Sequence, residues 1–114
     1  MEHGKEWLAV QELREALDKK FGHEITVMDL RNVSTIADFF VIATGGSAPQ
    51  IQALADAAEE ILTKKHEIPL RHIEGIRAGE WVLLDFGTII VHLFDKESRD
   101  FYKLERVWGD ANMV

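Results

Sequence analysis

The sequence predicts a single α/β domain, residues 1–114, in which helices flank a mixed sheet of about five strands. Amphipathic helical patterns alternate with β-rich runs along the chain, as in other α/β folds. The run FFVIA at positions 39–43 is apolar throughout, which is typical of a strand buried on both faces. Two further β-rich runs meet at one glycine, which indicates a hairpin and hence a sheet that is partly parallel and partly antiparallel.

The first helix is predicted from about Lys5 to Phe21. Apolar residues at spacings of three and four define its buried face: Trp7, Val10, Leu13, Leu17 and Phe21. Lysines near its end suit the negative end of the helix dipole. Gly22 is expected to end the helix in the left-handed conformation.

Two strands are predicted next, over Glu24–Leu30 and Ile36–Thr44. Because the second is continuously apolar, we expect helices on both sides of the sheet. The second helix is predicted from Ser47 to about Lys65, and Pro69 prevents it from continuing.

A short third strand is predicted over Leu70–Glu74. The hairpin follows, formed by Trp81–Phe86 and Thr88–Phe94 with its turn at Gly87. The last helix begins near Asp95, and its apolar face carries Phe101, Leu104 and Trp108. The first few residues and the last three are expected to be tails.

Charge and composition limit the classes of function that the chain can have. The chain has 13 basic and 20 acidic residues, a net charge of −7, which argues against extensive contact with nucleic acid. An acidic surface suits a basic partner, although it also serves solubility alone. The absence of cysteine excludes disulfides, zinc–thiolate sites and cysteine nucleophiles. With no apolar run of membrane-spanning length and no secretory signal pattern in MEHGKEW, we expect a cytoplasmic protein without a membrane partner.

The stretch IATGGSAPQ, residues 42–50, has two interpretations. In the structural one, Gly45 and Gly46 turn the chain, while Ser47 and Gln50 form a capping box at the helix start. In the alternative, the chain is a nucleotide-binding enzyme of the nucleotidyltransferase type, and the Gly45-Gly46-Ser47 turn holds a triphosphate. That chemistry needs two carboxylates for magnesium on the following strand, where LRHIEG offers only Glu74. Neither a Walker lysine nor a G-x-G-x-x-G motif is present.

Other candidate chemistry is weak. The five histidines are scattered, although His72 and His92 lie on predicted strands and could be neighbours. Asp29 and Asp38 flank a loop, where carboxylates commonly cap turns. No Ser–His–Asp arrangement follows from the spacing. We therefore predict no catalytic residue, no cofactor and no metal site.

The hairpin carries the candidate binding surface. On its first strand, Trp81, Leu83 and Asp85 share one face, while the purely apolar set on the other face belongs to the core. An aromatic and aliphatic patch beside a charge suits a protein interface. The competing interpretation, that the last helix covers Trp81, is equally compatible with the pattern.

Three ordered blocks of this sequence resemble the ribosomal silencing factor family, also called the iojap family. They are DLRNVSTIADFFVIATGGS, HIEGIRAGEWVLLDFGTIIVHLF and RDFYKLERVWGDA, and the resemblance runs from about Val10 to Ala111. It implies a nucleotidyltransferase-like fold without transferase activity. It also implies binding to the large ribosomal subunit through its fourteenth ribosomal protein, which sterically blocks joining of the small subunit. The family is further linked to large-subunit assembly, and its members are often homodimers when free.

The resemblance also implies a partner-binding surface around the sheet: Glu74, Ile76, Trp81, Leu83, Asp85 and Phe86. Little direct contact with nucleic acid is expected. The chain departs from many relatives at Ala48-Pro49, which replaces what is often a polar or basic pair.

Overall fold

The structure, a computed structural model, describes residues 4–33, 35–76, 81–97 and 112–113, with side chains for all of these except 76, 112 and 113. Within these ranges lie two α-helices, α1 (Lys5–Lys19) and α2 (Ala48–Glu59), and α2 continues into a π-helix over Glu60–Lys65. The strands are β1 (His23–Asp29), β2 (Phe39–Thr44), β3 (His72–Ile76), β4 (Trp81–Asp85), β5 (Ile89–Phe94) and β6 (Asn112–Met113).

These strands form one mixed sheet in the order β3-β4-β5-β2-β1-β6. β2 and β5 are parallel, and the other neighbouring pairs are antiparallel. The predicted α/β class, the mixed sheet and the hairpin at Gly87 are confirmed. Asn112 and Met113, expected in a tail, instead pair with Asp29 and Met28. A two-residue strand has no periodicity of its own, so only its distant partner could have revealed it.

The sheet has two buried faces. The helix face packs against α1 and α2 and includes Val27, Val41, Leu84 and Val91. The opposite side, here called the second face, buries a separate cluster: Met28, Leu30, Ala37, Phe40, Ile42, Ile90 and Phe94. β2 and β5 lie in the middle of the sheet and are buried at every position, which explains their apolar sequences.

α1 and α2 both lie on the helix face. The last predicted helix, with Phe101, Leu104 and Trp108, lies outside the described residues, apart from helical residues Lys96 and Glu97. The expectation of helices on both sides of the sheet therefore stays a prediction.

The end of α1 differs from the prediction by one residue. Phe21, not Gly22, adopts the left-handed conformation, with φ of 65°. The amides of Phe21 and Gly22 donate to the carbonyls of Asp18 and Leu17, both at 2.9 Å, which forms a Schellman motif. Gly22 is instead favoured by close packing, because a Cβ there would make a tight contact of 3.1 Å with the Leu17 oxygen. The ring of Phe21 is 76% exposed, so its predicted place on the buried face of α1 is wrong.

The start of α2 follows the predicted capping pattern with one change. Ser47 Oγ accepts a hydrogen bond of 3.2 Å from the Gln50 amide, as predicted. The Gln50 side chain reaches back to the amide of Gly46 and not to that of Ser47. Its amide nitrogen Nε2 also donates to the carbonyls of Lys20 and Phe21, at 3.2 and 2.7 Å. Gln50 therefore joins the glycine turn to the end of α1.

We expect Ser47→Ala to lower the free energy of unfolding by about 1 kcal/mol, because the Gln50 amide loses its acceptor. Ser47→Asp is the control, since a carboxylate at this position retains the cap and suits the helix dipole. Urea denaturation of the full chain measures both. Equal stability of the alanine variant and the wild type would contradict the cap.

Candidate functional site

The glycine turn already uses its own donors. The Gly45 amide donates to the Phe94 carbonyl at 2.8 Å, and the Gly46 amide donates to Gln50 Oε1. A Cβ at position 45 would lie 2.7 Å from Ile51 Cγ1, so this glycine permits close packing of α2. These contacts support the structural interpretation of the turn, because a phosphate would have to displace them.

A cavity of about 390 Å³ opens beside the turn, lined by His23, Glu24, Thr44, Gly45, Gly46 and Lys96. Glu74, the one carboxylate of the LRHIEG segment, does not stand beside the turn, because β3 is separated from β2 by two strands. In the part of the chain that the structure describes, no cluster of three or more acidic or histidine side chains could hold a metal ion.

The predicted binding residues meet on one patch of the second face. Across the β3–β4 ladder, Glu74 lies opposite Leu83 and Ile76 lies opposite Trp81. Asp85 is on the same face as Leu83, since side chains alternate along a strand. We call Glu74, Trp81, Leu83 and Asp85 the docking patch; Ile76 belongs to it by its backbone position alone.

Phe86 does not belong to the docking patch. It is only 2% exposed and packs in the helix-face core with Leu84 and Val82. The prediction that it contacts a partner is therefore corrected: alternation along β4 turns it toward the helices.

The Trp81 ring is partly buried and is held by β5. Its centroid lies 4.9 Å from that of Phe94, and its indole Nε1–H donates to His92 Nδ1 at 3.3 Å. These contacts follow from the register, which sets Trp81 opposite Phe94 with His92 two residues away on the same face. The indole keeps some exposure, as a binding anchor requires.

His92 is the polar centre of this aromatic cluster. His92 is 5% exposed. The Phe40 ring packs against it edge to face, with the two ring centroids 4.7 Å apart. Because Nδ1 accepts from Trp81, the neutral ring carries its hydrogen on Nε2, which has no hydrogen-bond partner among the described residues. Burial lowers the pKa of His92 from 6.5 to about 4. The sequence alone does not predict this contact, since it depends on the pairing of β4 with β5.

Carboxylates border the apolar part of the docking patch. Asp85 Oδ1 accepts from the Gly87 amide at 2.7 Å and so supports the hairpin turn. Glu74 is exposed, and its Oε1 lies 3.6 Å from His72 Nε2. An aromatic and aliphatic centre with an acidic rim is typical of a protein interface that receives a basic partner.

The remaining candidates are structural. The Asp29 carboxylate accepts hydrogen bonds of 2.6–3.0 Å from the backbone amide and the guanidinium of Arg31. These bonds hold the pKa of Asp29 below its usual value. The predicted turn-capping role of Asp29 is confirmed. His72 and His92 are not neighbours, because β4 lies between them. The prediction that they could be neighbours is wrong, because it depends on the order of the strands in the sheet, which the sequence does not show.

Comparison with known proteins decides the family. The family model described as "Ribosomal silencing factor during starvation" matches residues 3–114. The chain belongs to the ribosomal silencing factor family. A relative named ribosomal silencing factor, from Halalkalibacterium halodurans, is 37% identical over 99 residues, covering 87% of this chain and 84% of the relative.

Two further relatives extend this comparison. A crystal structure of a Chromobacterium violaceum protein superimposes with a TM-score of 0.82 at 31% identity, covering 90% of this chain and 84% of that one. A mouse protein named "Mitochondrial assembly of ribosomal large subunit protein 1" is 30% identical over 94 residues, which are 81% of this chain and 41% of the mouse protein. Family membership carries a ribosome-associated silencing role. Among the described residues, no helix of this family member has the length and apolarity to span a membrane.

We expect the stability of the protein to fall in mild acid because of His92. Its folded pKa, about 4, lies below the ordinary value of 6.5, so the unfolded chain binds the proton first as pH falls. The contribution of His92 is complete above pH 6.5 and is lost progressively toward pH 4, by roughly 3 kcal/mol in total. Urea denaturation at pH 7.5 and 5 measures the part of the loss that falls above pH 5, roughly 2 kcal/mol.

His92→Phe keeps an aromatic ring of similar size and should flatten this pH dependence. His72→Ala is the matched control, because His72 is exposed and its loss should leave the slope unchanged. The same slope in His92→Phe and the wild type would show that the acid sensitivity arises elsewhere.

Proposed function

We propose that this chain represses translation by binding the large ribosomal subunit and blocking its association with the small subunit. Contact is made through the fourteenth large-subunit ribosomal protein. The factor acts sterically and without catalysis, in the cytoplasm, and makes little direct contact with RNA. Membership of the ribosomal silencing factor family and the net charge of −7 support this proposal.

The observation that carries the proposal is the docking patch. Trp81 and Leu83 offer partly exposed apolar surface. Two carboxylates adjoin Leu83: Glu74 lies opposite it on β3, and Asp85 lies two residues along β4. Trp is a favoured anchor at the centre of protein interfaces, where surrounding contacts exclude water. Lysine or arginine on the partner would pair with the two carboxylates.

We also propose that the factor contributes to large-subunit assembly, a role that the name of the mouse relative indicates for that protein. The free protein is a homodimer. The alternative, a nucleotide-binding enzyme, is less favoured because the Gly45 and Gly46 amides are already hydrogen-bonded within the chain. Titration of the wild type with a nucleoside triphosphate and magnesium tests that alternative, and micromolar binding would favour it.

Trp81→Ala should weaken binding to the isolated ribosomal protein by about 2 kcal/mol, roughly thirtyfold, because a desolvated indole is lost from the interface centre. Trp7→Ala is the matched control: Trp7 is also partly buried but lies on α1, against Phe39. Calorimetric titration gives the affinities, and thermal melts establish that each variant is folded. A folded Trp81→Ala variant that binds as well as the wild type would contradict the proposal.

The same titration with Asp85→Asn tests the acidic rim. Asparagine retains an oxygen to accept from the Gly87 amide, so the turn stays capped while the charge is lost. Binding should weaken, and the difference from the wild type should shrink as salt is raised. Asp56→Asn, on the exposed side of α2, removes an equal charge and should leave affinity unchanged. Equal losses of affinity in the two variants would show a general effect of net charge and no specific contact of Asp85 with the partner.

A further inference from the structure

Glu24 has a backbone conformation that the end of a helix does not explain. Among the described residues other than glycine, three have a positive φ: Phe21, Glu24 and Glu67. Phe21 and Glu67 each follow a helix, and their amides donate to the carbonyls of Asp18 and Thr63 in the turn before. Glu24, with φ of 50°, lies instead within β1. A left-handed residue inside a strand costs stability, and such residues are concentrated at binding and catalytic sites.

The conformation of Glu24 brings its side chain to the carboxyl end of β2. His23 pairs with Thr44, and the register of β1 against β2 shifts between His23 and Thr26. Without this shift, alternation along β1 would turn Glu24 to the face opposite His23. Instead, Glu24 Oε1 accepts a hydrogen bond of 3.5 Å from Thr44 Oγ1. Irregularities of this kind commonly re-aim a side chain beside a functional site.

A cavity lies where these side chains meet. It is the cavity of about 390 Å³ beside the glycine turn, and its inner wall includes Thr44, which is 3% exposed, and the buried Gly45. Its exposed rim carries His23, Glu24 and Lys96. The parallel strands β2 and β5 both end at this point. Open α/β sheets bind ligands at the carboxyl ends of their parallel strands, and small-molecule pockets have volumes of about 300–1,000 Å³.

The charges at the rim determine which ligand the cavity suits. The Glu24 carboxylate has about four acceptor positions, so it can accept from an ammonium group while Thr44 also donates to it. The Lys96 ammonium group pairs with a carboxylate. A ligand with a single charge would leave one rim residue facing a like charge, and a triphosphate would be repelled by Glu24. A ligand that carries one charge of each sign suits both residues.

We propose that this cavity binds a small zwitterion with one ammonium group and one carboxylate, the chemistry of a free amino acid. Glu24 binds the ammonium group, and Lys96 binds the carboxylate. His23 and Thr44 provide further polar contacts from the paired ends of β1 and β2. Thr44 is two strands away from Trp81, so the site lies outside the docking patch and goes beyond the proposed function.

Titration of the isotope-labelled full chain with amino acids tests the site. Each of the twenty standard amino acids is added singly at millimolar concentration, and the amide chemical shifts of Gly45 and Gly46 report binding at the cavity wall. We expect saturable shifts with at least one amino acid. The N-acetyl and carboxamide derivatives of that amino acid each lack one charge. Each should bind roughly tenfold more weakly, because a hydrogen bond between charged groups is lost.

Two variants remove the charges of the rim one at a time. Glu24→Gln and Lys96→Met should each weaken binding of the amino acid roughly tenfold, and glutamine keeps an oxygen that can accept from Thr44. Glu24→Gln should also bind the amino acid and its N-acetyl derivative equally, since the contact with the ammonium group is already lost. Glu67→Gln is the matched control, because Glu67 is likewise exposed and left-handed but does not line the cavity.

Three results would overturn the proposal. One is the absence of saturable shifts with every amino acid, and another is equal binding of the amino acid and both derivatives by the wild type. The third is unchanged affinity in Lys96→Met, a variant of an exposed residue outside the strands that stays decisive if Glu24→Gln fails to fold. The titration uses the protein alone, so its outcome does not depend on binding to the ribosome.

Discussion

The parallel pairing of β2 with β5 is the constraint on which the rest of the structure depends. Both strands are buried at every position, so each face of the pair must be covered by apolar groups. α1 and α2 cover the helix face, and the glycine turn brings α2 close enough to pack there. The hairpin then extends the sheet from β5 to β4, which fixes the residues that stand on the second face.

The docking patch depends on this core through His92 and Phe94. Both belong to β5, and they hold the Trp81 indole by a hydrogen bond and a ring contact. A neutral histidine suits this position, because it accepts from the indole while burial opposes its protonation. The docking patch thus combines the Trp81 indole, held in place by β5, with carboxylates at its rim. This arrangement suits recognition of a basic protein surface.

Local patterns in the sequence predicted the fold class, the hairpin at Gly87 and the Ser47 cap, because each depends on residues close together in the chain. They also placed Trp81, Leu83 and Asp85 on one face of a strand. The indole contact with His92 and the opposition of Glu74 to Leu83 required the strand register, which no single segment contains. The left-handed Phe21 was missed for a related reason: Gly22 packs closely against Leu17 and against Leu54 of α2, and its place at the helix end does not reveal these contacts.

Site-specific photocrosslinking on purified large subunits tests most directly whether the docking patch faces the ribosome. A benzophenone side chain is placed at position 83 in the patch, or at position 8 on the exposed side of α1. We predict that position 83 gives a covalent product with the fourteenth large-subunit ribosomal protein and that position 8 gives none. Crosslinking from position 8 alone, or a product with ribosomal RNA from position 83, would contradict the account.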